Sequence, residues 1–183
     1  MRPKYVTEAI VLKRTPLAEA ASLVTLLTNE FGLVSARAEG LRKPGAKLAH
    51  ALQTLDACTV TLVRGKEAWR VSGAILEHHW FEALDHESRE RAGRMSALLL
   101  RLVHGEVNDP RLFSLFSHFL AALPELSEES RDTLEIETAL RMLALLGLDA
   151  GTLPEIDTYE PLLEEKRREL VMRINRGILA SGL

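Results

Sequence analysis

The sequence predicts an α+β protein: a five-stranded barrel over residues 1–80, then an all-α domain of about four helices over residues 81–183. Three observations lead there. The first half alternates apolar and polar residues in short runs rich in Val, Thr and Leu. The second half repeats apolar residues at helical spacing between capping residues. Charge divides at the same place. Residues 1–80 hold 11 Lys and Arg against 7 Asp and Glu, a net of +4, and residues 81–183 hold 12 against 19, a net of -7.

The strand-like runs are "YVTEAIVLKRT" (5–15), "SLVTLLT" (22–28), "LVSARAEG" (33–40), "ACTVTLVRG" (57–65) and "AWRVSGAILEH" (68–78). Pro16, Asn29 with Gly32, Pro44-Gly45 and Gly65-Lys66 separate them as turn signals. "RGKEAW" reads as the hairpin joining the last two runs. "KLAHALQTL" (47–55) fits either a short helix or a strand. Asp85 caps a helix over about 86–104, with Met95, Leu98, Leu99, Leu102 and Val103 inward. Asp109 followed by Pro110 starts the next, which carries Leu112, Leu115, Phe116, Phe119 and Leu120. A loop at 124–130 supplies a cap, and the third helix ends at Gly147. A linker (149–158) leads to a last helix from about Pro161, with Leu163, Leu170, Val171, Ile174 and Ile178 on one side.

Composition narrows the chemistry. An apolar fraction of 46% over 183 residues is ample for a packed core. The single cysteine, Cys58, allows neither an internal disulfide nor a thiolate zinc site, and in an apolar run it reads as a small core residue. No run reaches the ~20 apolar residues of a membrane span. The first residues, "MRPKYVTEAIVLKR", lack the apolar stretch of a signal peptide. A soluble cytoplasmic protein is expected. There is no phosphate loop, dinucleotide fingerprint or nucleophile motif, so neither an enzyme nor a cofactor is expected. His78 and His79 are adjacent on a strand and point to opposite faces, which argues against a shared metal ion. Glu87 and Glu90 with Arg91 and Arg94, and "EEKRRE" (164–169), read as charged helix faces.

Five short strands suit a closed barrel of the oligonucleotide-binding (OB) type, with an SH3-like barrel as the competing fold. In the third run, alternation turns Val34, Ala36 and Ala38 one way and Ser35, Arg37 and Glu39 the other. Arg37 then lies on the outer face and leads into the loop "LRKPGAKL", which carries Arg42, Lys43 and Lys47. Arg14, Arg64, Lys66 and Arg70 lie at strand ends or in the last hairpin. Together these eight residues form a candidate phosphate track, because Lys and Arg release counterions on meeting a nucleic-acid backbone. Trp69 is either a base-stacking platform or a packing residue.

The ordered series "TEAIVL", "VTLLT…FGL", "G-LRKPGAKL", "ALQ" and "TLVRGKEAWRVSGAILE" resembles the N-terminal domain of RecO, a bacterial DNA repair and recombination mediator family. The helical part, ending near "RMLALLGLDAG", is similar to that family's second domain, so the likeness covers roughly residues 6–150. It implies an OB-fold domain followed by a helical domain. It implies sequence-independent binding of single- and double-stranded DNA, annealing of complementary strands, and help in loading recombinase onto coated single strands at the nucleoid. It implies two protein partners, RecR and the C-terminal tail of single-stranded DNA-binding protein. Arg42, Lys43 and Lys47 match the family's basic loop, and Arg14 matches a basic position ending the first strand. The chain departs from the family in three places. The four-cysteine zinc site of many members is absent, which marks a short form. Glu39 stands where Lys or Arg is usual, and Ala21 where Asp is common.

Overall fold

The computed structural model describes residues 3–17, 21–41, 47–66, 68–104, 109–153 and 159–182, with Lys47 described by its backbone alone. The chain divides into two compact units, Met1–Ala83 with His104–Phe113, and Leu84–Val103 with Ser114–Leu183.

The first unit is built from five strands, β1 (Lys4–Pro16), β2 (Ser22–Thr28), β3 (Gly32–Ala38), β4 (Asp56–Arg64) and β5 (Trp69–His79). They close into a barrel in the order β1-β2-β3-β5-β4. All neighbours are antiparallel except β3 and β5, which run parallel through Ala36–Trp69, Arg37–Arg70 and Ala38–Val71. This order, with a helical turn inserted between β3 and β4, is the Greek-key barrel of the OB fold rather than the SH3-like alternative.

The period of two expected from the sequence fills the barrel. Val24 and Leu26, then Val34, Ala36 and Ala38, then Cys58, Val60 and Leu62, and finally Val71, all point inward and are buried. Cys58 is one of these core residues, and burial first, with Asp56 and Glu77 adding to it, pushes its thiol up to about 12. A protonated, enclosed thiol is chemically quiet. The ambiguous segment after the basic loop forms one helical turn, α1 (Lys47–His50). Leu41 and Leu52 flank it and belong to the barrel core. Leu55, at φ 69°, turns the chain into β4, and its N–H donates to Val11 O at 2.8 Å. Val11 borders a register shift in β1, where a carbonyl is free to accept it.

The β4–β5 hairpin depends on Gly65. Its N–H donates to Ala68 O at 2.9 Å, and a Cβ added there would lie 2.5 Å from that same oxygen. Only glycine permits so close an approach of backbone to backbone. After β5 comes a short turn, α2 (Trp80–Ala83).

The remaining helices are α3 (His86–Leu102), α4 (Pro110–Ala122), α5 (Glu128–Leu145) and α6 (Glu164–Ala180). The starts of α3, α4 and α5 follow the sequence signals. Asp85 accepts from Ser88 N–H at 2.8 Å, Asp109 from Arg111 N–H at 2.9 Å, and Ser127 from Ser130 N–H. The stretch 123–125 forms a 3-10 turn before that last cap. Within the second unit, Phe116, Phe119, Leu120, Leu123, Leu99 and Leu140 are fully enclosed. Leu170 of α6 packs with Ile136 and Leu140 of α5. One inward assignment is corrected: Leu163 is 82% exposed, because α6 begins after it, and Leu162 takes its place against the α5–α6 core.

Gly147 ends α5 at φ 71°, with Leu148 N–H donating to Leu143 O at 2.8 Å. That left-handed conformation costs an L side chain roughly 1–2 kcal/mol. Gly147→Ala is therefore expected to lower the free energy of unfolding by about that amount in urea titration, with the slope unchanged.

Candidate nucleic-acid interface

The register of the barrel decides which cations share a face. Paired residues project to the same side of a sheet. Starting at β1, Lys4 pairs with Val63 of β4, Val63 with Arg70 of β5, Arg70 with Arg37 of β3, and Arg37 with Leu23 of β2. Lys4, Arg70 and Arg37 are all exposed. One belt of outward residues therefore crosses all five strands and carries three cations, with Val63 and Leu23 half-buried between and beside them. Neither Arg70 nor Lys4 has an ion-pair partner among the described residues. Arg37 is engaged: its Nε lies 2.6 Å from Glu39 Oε1 in an ion pair, and both side chains are about half exposed.

The next row of the ladder faces the other way. Arg14 pairs with Val24, Val24 with Ala36, Ala36 with Trp69, and Trp69 with Arg64. Its three middle members are core residues, so Arg14 and Arg64 lie at the two ends of an inward row, where strand ends let their charges reach water. Arg64 sits over the Trp69 ring, 5.1 Å from its centroid. Lys66 is exposed in the adjoining hairpin. The structure thus separates the described members of the predicted track. Arg37 and Arg70 are neighbours on the outer wall. Arg14 and Arg64 belong to the barrel rim. Lys47 begins α1, and Arg42 and Lys43 fall outside the described residues. Lys4 was missed in the sequence, because its place beside Arg70 exists only through β4.

Trp69 is a packing residue, not a stacking platform. It is 5% exposed and meets Tyr5 and Phe31 edge-on or tilted, with ring centroids 5.5 to 5.6 Å apart. Trp80 likewise lies against a ring, that of His78, at 3.8 Å.

A buried carboxylate holds the corner where α1 returns to the barrel. Asp56 accepts from Gln53 N–H at 2.7 Å and from His79 Nδ1–H at 2.8 Å. The His50 ring packs edge-on against His79. The hydrogen bond to Asp56 raises the His79 pKa above its ordinary 6.5. His78 and His79 thus have different partners, as opposite strand faces require, and no metal-holding cluster occurs among the described residues.

In the second unit, a cleft of about 480 Å³ opens between α3, α5 and α6. Leu98, Ile136, Ala139 and Val171 line its floor, and Arg94 and Arg167 stand at its edge. Arg94 donates to both oxygens of Glu135, at 2.7 and 2.8 Å, and Arg91 donates to Glu135 at 2.8 Å. Arg167 donates to Asp132 at 2.7 Å and holds its carboxyl below the usual range. That stabilisation is present above the ordinary carboxylate pKa and is lost as pH falls through the lowered value. Arg131 is committed elsewhere, to Asp85 and Leu123 O, and Arg141 to Glu137. No helix of the described residues is long and apolar enough to cross a membrane.

The first unit is thus an OB-type barrel whose outer wall carries a row of cations. Residues 1–78 match the model of the family described as recombination protein O N terminal. The DNA repair protein RecO of Chlorobium limicola is 28% identical over 181 residues, covering 95% of this chain and 69% of that protein. RecO of Synechococcus elongatus is 35% identical over 126 residues, 67% of this chain and 47% of that protein. RecO of Caldanaerobacter subterraneus is 25% identical over 143 residues, 77% and 57% respectively. The match to the recombination protein O model thus covers the barrel strands, and the likeness to RecO proteins continues through the helices. The chain spans between about half and 69% of the length of these relatives.

The Asp56–His79 bond gives a pH-dependent expectation. A histidine whose pKa is raised on folding stabilises the fold fully below about 6.5, and that stability is lost as pH rises through the raised value. NMR titration should place His79 above 6.5, and Asp56→Asn should bring it back toward that ordinary value. An unshifted His79 in the parent would contradict the geometry.

Proposed function

We propose that this chain is a non-enzymatic mediator of DNA repair and homologous recombination. It binds single- and double-stranded DNA without sequence preference, anneals complementary strands, and helps load recombinase onto coated single strands at the nucleoid. The observation that carries this reading is the outward belt of Lys4, Arg70 and Arg37 on a barrel that matches the recombination protein O model. Side chains on rigid strands hold their charges at fixed spacing without ordering a loop each time a strand binds. The basic loop with Arg42, Lys43 and Lys47 follows β3 directly in the chain and extends that supply of charge.

The enclosure of Trp69 gives the reading its character. With that ring committed to the core, binding at this belt rests on phosphates, which are the same on every sequence and on both single strands and duplexes. Such contacts weaken steeply with salt. Annealing requires two strands to approach while their phosphate repulsion is reduced, and a cationic wall does this. The helical part, with its net charge of -7, disfavours DNA and leaves the barrel as the place for it.

Two protein partners complete the proposal, RecR and the C-terminal tail of single-stranded DNA-binding protein. That tail is acidic and ends in an apolar residue. The cleft between α3, α5 and α6 has an apolar floor for such a residue and Arg94 and Arg167 at its edge for the acidic groups. Arg94 is the arginine to test because it lines this cleft and Arg131 and Arg141 do not; the tail carboxylate would compete with Glu135 for it. Arg94→Ala is expected to weaken binding of a labelled tail peptide about tenfold, the worth of one charge-assisted hydrogen bond. No binding of that peptide to the folded parent at low salt would remove this partner from the account.

Binding of labelled single-stranded DNA across a salt series tests the main reading. Affinity should fall as salt rises. Arg37→Ala with Arg70→Ala, and separately the triple change of Arg42, Lys43 and Lys47 to Ala, should each weaken binding and flatten the slope by about 0.7 per lost phosphate contact. A folded parent that stays unbound at low salt would contradict it. A preference for RNA over DNA of equal length would favour the alternative, an OB-fold adaptor for RNA or protein with no role in recombination.

A further inference from the structure

The belt contains a carboxylate that the proposed function does not use. Glu39 follows Ala38, the last residue of β3, and lies two positions beyond Arg37, on the same outward side. Its Oε1 is 2.6 Å from Arg37 Nε. Arg37 in turn stands in register beside Arg70 across the parallel β3–β5 pair. Two guanidinium groups thus project from adjacent strands, and one of them is already neutralised by the residue that follows its strand.

We infer that Glu39 is a built-in attenuator of nucleic-acid binding. It occupies Arg37 in the free protein, so that a phosphate reaching the belt must displace a carboxylate as well as counterions. The inference rests on reading this belt as the nucleic-acid interface. Geometry favours a reversible device over a structural tie. Both partners are about half exposed, and such pairs are weak and screened by salt. The pair also joins residues only two apart in the chain, so it fastens no separate elements together. Breaking it leaves the barrel ladder intact. What it changes is the charge offered to a polyanion: Arg37 and Arg70 with Glu39 present +1, and without it +2. Attenuation suits a protein that must release one strand to another, because a contact opposed by a neighbouring carboxylate is quickly given up.

The test is a double-mutant cycle read by binding of labelled single-stranded DNA across a salt series, with thermal melting to establish that each variant is folded. Glu39→Gln keeps shape and removes charge. It should tighten binding about fivefold at 0.1 M salt and steepen the salt slope by about 0.7, the contribution of one added phosphate contact. Glu39→Lys should tighten it further. In an Arg37→Ala background the gain from Glu39→Gln should fall below about twofold, because the cation it would release is gone.

Three results would overturn the inference. One is a parent that binds with a salt slope while Glu39→Gln binds no tighter, which leaves the nucleic-acid reading standing. Another is the same gain with and without Arg37, which would make Glu39 a contributor to bulk charge alone. The third is a folded parent and folded Glu39 variants that all fail to bind at low salt, in which case the interface itself falls too. A parent that fails to bind beside a Glu39→Gln that binds would support attenuation at the belt while contradicting the proposed function of the parent chain.

Discussion

The parallel pairing of β3 with β5 is the contact on which the rest of the first unit depends. The other four pairings join strands antiparallel and could persist in an open sheet. The β3–β5 pairing closes that sheet, removes its edges and fixes the register all the way round. Once Ala36 lies beside Trp69, Trp69 must enter the core, and Arg37 and Arg70 must stand together outside it. Core and charged wall are two consequences of one register. A slip of one residue would exchange them, placing arginines in the core and a tryptophan in water.

The features around the barrel protect that register. Gly65 lets the hairpin turn tightly enough to bring Trp69 beside Arg64. Buried Asp56 ties the start of β4 to the end of β5 through His79, and ties both to the segment after α1 through Gln53. A buried carboxylate without such donors would be costly, so both partners are needed. In the helical unit the same logic operates through arginine. Arg91, largely buried, donates to Glu135 across the α3–α5 contact, and Arg167 donates to Asp132 across α5–α6. These pairs tie α3 to α5 and α5 to α6 beside the cleft that the three helices line.

Most of this was legible in the sequence, because the signals are local. Period-two alternation located five strands to within about two residues, and turned Arg37 outward correctly. Asp85, Asp109 and Gly147 marked helix ends, and the loop at 124–130 was read as supplying a cap, because capping is decided by the few residues around it. What escaped was non-local. The adjacency of Arg37, Arg70 and Lys4 is set by pairings between strands far apart in the chain. The burial of Trp69 follows from closure, which alternation within one strand does not reveal. Leu163 was misassigned because a helical period says nothing about where the helix begins. "KLAHALQTL" stayed open between helix and strand because a single turn of four residues is too short to show a sustained period of 3.6 against one of 2.

The central claim is that nucleic acid lies on the outward belt of the barrel. Amide hydrogen exchange of the full chain, with and without single-stranded DNA at low salt, tests it most directly. The account predicts added protection in β3 and β5 around Arg37 and Arg70 and at the start of β1 near Lys4, with the helices from α3 onward unchanged. Protection confined to those helices, with the barrel strands unaffected, would contradict it.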